Sequence, residues 1–358
     1  MRFGNFLFPT VDDPDQDGRF IDEAIAEARR SDELGMDAVW LAEHHFDGMC
    51  AYVDPVTFSA ALAMATDRIK IGYSVAQMAL HHPVRMAEQV ALIDHLSQGR
   101  LIVGLGRGPS TNTYEYDGFD IPFAEAEARL VEAEELMVRA WTASNTGDGV
   151  THAGEFWNVE IPALRPRPFT KPHPQVIRAC SSERSVLAQA RAGRPFLMNI
   201  QPIEVTAERM DAYRVEMRAN GHDEERIAAN TAESWVWRNI FVAETDDEAA
   251  NVGIPAYQRQ SELRDAMRNR MFEEQGNAIE GVTKETVAAL PRRNVEAALI
   301  HGSPETVAER IAAIEATGAG GVLASFRIGP MAVDTARRNL ELFMSRVAPA
   351  FQPAPDQS

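Results

Sequence analysis

Residues 81–108 read HHPVRMAEQVALIDHLSQGRLIVGLGRG, and they hold one full repeat of the pattern that decides the fold. Pro83 suits the first turn of a helix, where a backbone N–H would have no partner anyway, and the helix runs to Leu96 before Gln98-Gly99 stop it. Arg100 to Gly106, RLIVGLG, follows as a short apolar run of strand type. The same alternation extends in both directions. Upstream lie a strand over Arg2–Phe8 and a helix over Gly18–Gly35, with Phe20, Ile21, Ala24, Ile25, Ala28 and Leu34 at helical spacing. A strand over Asp37–His44, a helix over Asp54–Asp67 opened by Asp54-Pro55, and a strand over Ile69–Met78 complete that half.

Downstream, a helix over Ala124–Trp141 leads into an irregular Gly- and Pro-rich stretch, Thr142–Pro174, with a hairpin expected around Phe156–Ile161. Strands over Gln175–Cys180, Phe196–Ile200 and Ser234–Ala243 are separated by helices over Glu183–Ala192 and Pro202–Asn220. Asp246 to about Arg270 reads as a very polar helix, and Met271–His301 shows no clear period. A helix over Pro304–Thr317, a strand over Gly320–Arg327 and a helix over Val333–Val347 close the chain. Alternating strands and helices imply a parallel sheet covered by helices. Eight such strands, with no linker or composition break between halves, favour a closed α/β (β/α)8 TIM barrel over an open doubly wound sheet. The barrel carries one insertion after strand four and a polar helical and loop insertion after strand seven. Residues 1–358 form a single domain in this reading, with 271–301 as an active-site loop.

The formal net charge of −18 argues against nucleic acid or an anionic membrane as a partner, while leaving room for an anionic cofactor held by a few arginines. Two cysteines, Cys50 and Cys180, make neither a disulfide framework nor a metal-ligand spacing, so no metal is expected. The start of the chain lacks the apolar stretch of a signal peptide, and no run approaches about 18 apolar residues, so a soluble cytoplasmic protein is expected.

In a (β/α)8 barrel the active site lies at the C-terminal ends of the strands. The second strand ends in Glu43-His44-His45-Phe46; imidazole titrates near neutral pH, and adjacent residues on an extended segment point opposite ways, so one histidine faces the pocket. A zinc pair or a structural histidine is the competing reading. The third strand ends near Ser74-Val75-Ala76-Gln77, small enough for a flat ligand to approach, or simply for barrel packing. The fourth ends in Gly104-Leu105-Gly106-Arg107-Gly108, which is neither a dinucleotide fingerprint nor a Walker loop; its arginine suits a phosphate, or is a solvated turn residue. The fifth ends in Ala179-Cys180-Ser181-Ser182, with Ser185 in the next helix, a helix N-terminus that attracts anions or is merely capped. Arg129 alone reads as a surface charge.

Together, MRFGNFLF at 1–8, LGMDAVWLAEHHF at 34–46, the 81–108 stretch and GSPETVAERI at 302–311 resemble the bacterial luciferase family of flavin monooxygenases over nearly the whole chain. The resemblance implies that His44 is the catalytic histidine, acting on a C4a-peroxyflavin, and that Glu43 is a carboxylate near the isoalloxazine ring. It implies FMN phosphate contacts from Arg107, Arg129, Ser181 and Ser185. Ser74-Val75 falls where the family has a cis peptide beneath the flavin. Gly106 and Cys180 stand where the best-studied luciferase subunit has cysteine and glutamate. The first change enlarges the flavin pocket and the second removes a carboxylate near the phosphate, so light emission is not expected. Ala179 lines the same cofactor pocket. His45 and Glu88 match subunit-interface positions, so His45 is structural, and a homodimer or heterodimer forms through the helices after strands two and three.

The implied activity is that of a two-component monooxygenase. Reduced FMN from a separate flavin reductase and O2 oxidise a small organic substrate, an aldehyde or another carbonyl compound among the candidates. The 271–301 loop would either close over the flavin, with Lys284, Arg292 or Arg293 contributing, or be a disordered surface loop whose polarity needs no ligand. Hydride transfer with F420, or a non-catalytic flavin-binding partner subunit, are the alternatives.

Overall fold

The computed structural model describes residues 1–11, 13–274 and 295–352. Eight parallel strands close into a ring: β1 (Arg2–Leu7), β2 (Ala38–Leu41), β3 (Lys70–Tyr73), β5 (Leu101–Gly106), β8 (Gln175–Cys180), β9 (Phe196–Met198), β10 (Trp235–Val242) and β12 (Gly321–Ser325). Pairing of Trp235 with Leu197 and of Val236 with Met198 joins β10 to β9, while Arg2 pairs with Gly321 on the other side of the circle. The barrel and its two insertions are therefore as the alternation implies. The third expected strand is broken. β3 ends at Tyr73, the Ser74–Val75 peptide is cis, and β4 (Ala76–Gln77) resumes beside Leu105 and Gly106 of β5.

The helices between the strands are amphipathic covers. α1 (Asp17–Glu33) follows β1. α2 (Pro55–Ala65) is capped by the Asp54 carboxylate, which accepts from Val56 N and Thr57 N. α3 (Pro83–Leu96) has the bounds its proline and glycine imply. A short α4 (Thr113–Gly118) precedes α5 (Ala126–Thr146), and the insertion after β5 carries the hairpin β6 (Val150–Ala153) and β7 (Asn158–Ile161), which starts earlier than the sequence implies. α6 (Glu183–Arg191), α7 (Ile203–Ala219) and α8 (Glu224–Ala232) cover β8, β9 and the approach to β10.

α9 (Asp246–Glu274) is longer than expected and takes in Met271–Glu274, and the expected loop also gives up its other end to α10 (Val295–Ala298) and β11 (Leu299–Gly302). Residues 275–294, with Lys284, Arg292 and Arg293, lie outside the described residues. β11 is a ninth parallel strand, paired with the second half of β10, and α11 (Pro304–Ala316) and α12 (Val333–Leu342) follow β11 and β12. No helix among the described residues is long and apolar enough to cross a membrane.

Two indoles fill the bottom of the barrel. Trp40 of β2 and Trp235 of β10 meet edge to face at 5.2 Å, both fully buried. Three strand glycines make room for them. A Cβ at Gly4 or Gly72 would come within 2.4 Å of the Trp40 ring, and one at Gly321 within 2.4 Å of Trp235. The interior of the barrel is thus filled at that end, and the C-terminal ends of the strands form the opposite mouth.

Candidate active site

β2 delivers Glu43, His44 and His45 to the mouth, where the two imidazoles part. His45 Nε2 lies 2.9 Å from Glu43 Oε1, and His81 Nε2 reaches the same oxygen at 2.9 Å. The second Glu43 oxygen accepts from Gln77 N at 2.6 Å. Burial alone would raise the Glu43 carboxyl, yet the charges and hydrogen bonds of His81 and His45 hold it well below the usual carboxylate range. His81 in turn is raised: burial pulls it down, and Glu43 more than offsets this. Glu43 is thus a buried anion fixed by three donors.

His44 turns the other way. Its Nδ1 lies 2.9 Å from Glu115 Oε1, and Asn112 Nδ2 lies 3.2 Å from the same nitrogen. Glu115, on α4, is fully buried, and its Oε1 also accepts from His45 N while its other oxygen accepts from Gln77 Nε2. Burial would lower the His44 pKa, but the charge and hydrogen bond of Glu115, helped by Asp47 and opposed by Arg268, raise it. His44 Nε2 has no hydrogen-bond partner among the described residues. The imidazole is therefore held at one nitrogen and free at the other, with a bias toward carrying a proton.

Asp47 completes this layer: Met49 N donates to it at 2.8 Å and the Tyr114 hydroxyl at 2.6 Å. One atom each from His44, Asp47 and Glu115 fall within 4.8 Å of one another. Hydrogen bonds already engage the His44 nitrogen and the oxygens of both carboxylates in this group.

Beside the histidines lies a smooth surface built from the third, fourth and fifth strand ends. A Cβ at Gly106 would stand 2.5 Å from Val75 Cγ2 and 3.6 Å from Ala179 Cβ, so Val75, Gly106 and Ala179 are neighbours. Val75 stands where a side chain at position 106 would reach. Ser74 forms the other half of the cis peptide. Arg107 extends from the end of β5 over the Phe123 ring at 5.5 Å, is 42% exposed, and has only a slack contact, 4.0 Å, to Glu127.

At the β8–α6 joint Ser182 caps α6 and Ser185 completes a capping box, with the Ser185 hydroxyl donating to Ser182 O at 2.7 Å. Ser181 is exposed. Cys180 is buried, its thiol pushed up to about 12 by burial and turned to the Arg178 carbonyl. Arg129 is engaged elsewhere, bound to Glu125 at 2.8 Å and lying over Phe156 at 4.6 Å. Glu88 is half-buried and pairs loosely with Arg85 at 4.0 Å.

The sequence reading missed Glu115, Asp47, Asn112 and Arg268. Asp47 lies in a loop, Asn112 and Glu115 at the short α4 and Arg268 on the long α9, and each meets a partner far away in sequence.

A family model described as luciferase-like monooxygenase matches residues 1–320. The chain belongs to that family. Among similar proteins, the oxygenase component of flavin-dependent trigonelline monooxygenase from Acinetobacter baylyi is 26% identical over 98% of this chain and 96% of its own. The 4-hydroxyprotoasukamycin monooxygenase of Streptomyces nodosus subsp. asukaensis is 25% identical over 98% and 92%. The crystal structure of monooxygenase RslO1 from Streptomyces bottropensis is 29% identical, covers 98% of this chain and all of its own, and superposes with a TM-score of 0.79. As a luciferase-like monooxygenase the chain is an enzyme, an oxidoreductase whose barrel mouth carries the His44 cluster.

Proposed function

We propose that this chain is the oxygenase of a two-component system that uses reduced FMN and O2 to oxidise a small organic substrate, with aldehydes and other carbonyl compounds as candidates. The observation that carries the reading is His44, anchored at Nδ1 by Glu115 and free at Nε2, next to the small-residue surface of Ser74, Val75, Gly106 and Ala179. The donor set suits FMN. Arg107 is half exposed and weakly paired, and α6 offers an exposed N-terminus with the Ser181 hydroxyl, a fit to a phosphate dianion. Arg129 would join by leaving Glu125, and Ser185 through its backbone, since its hydroxyl is spent on the capping box. Cys180 contributes backbone only. Glu43 would act indirectly, by fixing His45, His81 and the Gln77 backbone N–H.

Bound reduced flavin supplies the electrons that activate dioxygen. His44 holds a proton at Nε2 and donates it toward the reacting oxygen, while Glu115 stabilises the imidazolium that carries it. The apolar walls around Val75 keep water out. A flavin reductase feeds the site, and a cytoplasmic place fits a cofactor drawn from a diffusible pool. A dimer, with a second copy or a related subunit, would use α2 and α3, which expose Met64 and Leu92.

Mixing the chain, loaded with reduced FMN, with oxygenated buffer tests this. Delayed recovery of oxidised-flavin absorbance, shortened in His44→Ala, supports the reading. Recovery as fast as that of free reduced FMN in both proteins refutes it, and saturable F420 binding would then favour hydride transfer over a non-catalytic carrier.

A further inference from the structure

The C-terminal half of α9 crosses the site. Phe272 meets Tyr114 edge to face at 6.0 Å, and Arg270 donates to the Asp47 carbonyl at 3.1 Å. One turn before Phe272, Arg268 is largely buried, its side chain only 16% exposed. Its Nε donates to Asn112 Oδ1 at 3.3 Å. The same Asn112 amide contacts His44 Nδ1 through its nitrogen, so a single side chain stands between the guanidinium and the imidazole.

What Arg268 lacks is an anion. Its one ion pair, to Asp265, is long at 3.6 Å, and Asp265 itself is 58% exposed. The three buried carboxylates nearby are taken by other donors: Glu43 by two histidines and an amide, Asp47 by Met49 N and Tyr114, Glu115 by His44, His45 N and Gln77. The terminal nitrogens Nη1 and Nη2 make no hydrogen bond among the described residues, yet they are not among the sealed, unsatisfied atoms of the protein. Each therefore keeps some solvent-accessible surface, as does His44 Nε2. A largely buried guanidinium without a bound anion is an unfavourable arrangement until one arrives. Its two parallel N–H groups match the two oxygens of a carboxylate.

We propose that the substrate carries a carboxylate, and that Arg268 seats this group while the carbon to be oxidised lies toward His44 Nε2. The proposal rests on the monooxygenase reading of the same site and narrows its substrate from small organic molecules to small organic acids. It makes Arg268 the specificity-determining residue, and Asn112 the side chain that fixes its distance from His44.

The test is binding to the FMN-loaded protein of matched acid and amide pairs: benzoate and benzamide, nicotinate and nicotinamide, octanoate and octanamide. Flavin fluorescence and calorimetry give the dissociation constants. At least one acid is expected to bind about ten- to hundredfold more tightly than its amide, the range of a charge-assisted pair. Arg268→Gln should erase that preference, Arg268→Lys should keep part of it, and both should bind FMN as the parent does. A preference that survives Arg268→Gln overturns the proposal, as does a panel in which no acid outbinds its amide. A loss of FMN affinity with the acid preference intact also overturns it, and would assign the guanidinium to the cofactor phosphate. Should Arg268→Gln fail to fold, Arg268→Lys decides alone, by a reduced or an unchanged preference. None of these readouts involves oxygen, so failure of the flavin reoxidation test leaves the acid site standing, and the converse also holds.

Discussion

Replacing Glu43 by glutamine keeps the shape of the side chain and removes its charge. Glu43 Oε1 accepts from both His45 and His81 at 2.9 Å, and Oε2 accepts from Gln77 N. A glutamine can keep its oxygen on only one side, so its NH2 faces a donor on the other. Removing one partner from a buried ion pair costs about 3–5 kcal/mol. With about 2.1 cal/mol/K of unfolding entropy per residue, a chain of 358 residues loses about 1.3 °C of Tm per kcal/mol, so Glu43→Gln should lower Tm by about 4–7 °C.

The pH dependence has a definite sign. Glu43 is depressed in the fold, so its contribution is complete above its ordinary value of 4.5 and fades as pH falls toward the folded value. His81 is raised, so its contribution is complete below 6.5 and fades as pH rises through the folded value. Both are at full strength between 4.5 and 6.5, and there the gap between parent and variant is widest. As pH rises through the folded value of His81 the imidazole loses its charge, and the gap shrinks toward that of a lost hydrogen bond, about 1 kcal/mol or little more than 1 °C. Thermal melts of both proteins across the pH range provide the measurement. A gap that never narrows as pH rises above 6.5, up to alkaline unfolding of the parent, or no gap at all, would refute the ion-pair reading.

Glu115→Gln should lower the midpoint of His44 titration followed by NMR, since the carboxylate is what overcomes burial and the opposing Arg268; an unmoved midpoint would remove Glu115 from the proton control of His44. Gly106→Ala pushes a methyl group to 2.5 Å from Val75 Cγ2 and should cost about 1–3 kcal/mol, most of it recovered when Val75→Ala is added; strictly additive losses in denaturant melts would contradict the contact. Arg107→Gln should weaken FMN binding at least about tenfold while leaving riboflavin, which has no phosphate, unaffected in fluorescence titrations; equal losses for both would move the phosphate elsewhere.

The parts of the fold that could be read in advance are those whose signals are local. α3 keeps the bounds its proline and glycine set, β8 spans Gln175–Cys180 as its apolar run implies, and Ser182 sits where a cap must. β11 was missed because four residues, LIHG, show no alternation and gain their identity only by pairing with Asn239–Val242. α8 had a readable start in Asp223, whose side chain accepts from Arg226 N, followed by two glutamates, but its nine residues were passed over. In the site, the opposed histidines and the Ser74–Val75–Gly106–Ala179 neighbourhood were legible because strand ends converge in any such barrel. Glu115 and Arg268 were not. Their meaning comes from His44 and Asn112, brought together across 71 and 156 positions of chain. Arg129 and Ser185 were given a ligand when each also had a partner four or three residues away.

The paired indoles at the barrel floor give the molecule an optical signature. Trp40 and Trp235 come from strands three places apart around the ring, and their rings lie 5.2 Å apart at an interplanar angle of 69°. Transitions on two such chromophores couple and split into a circular-dichroism couplet whose amplitude depends steeply on that separation. Neither strand can leave the ring without separating them. A spectrometer watching that couplet therefore watches closure of the barrel itself, independently of helix content and of anything bound at the opposite end.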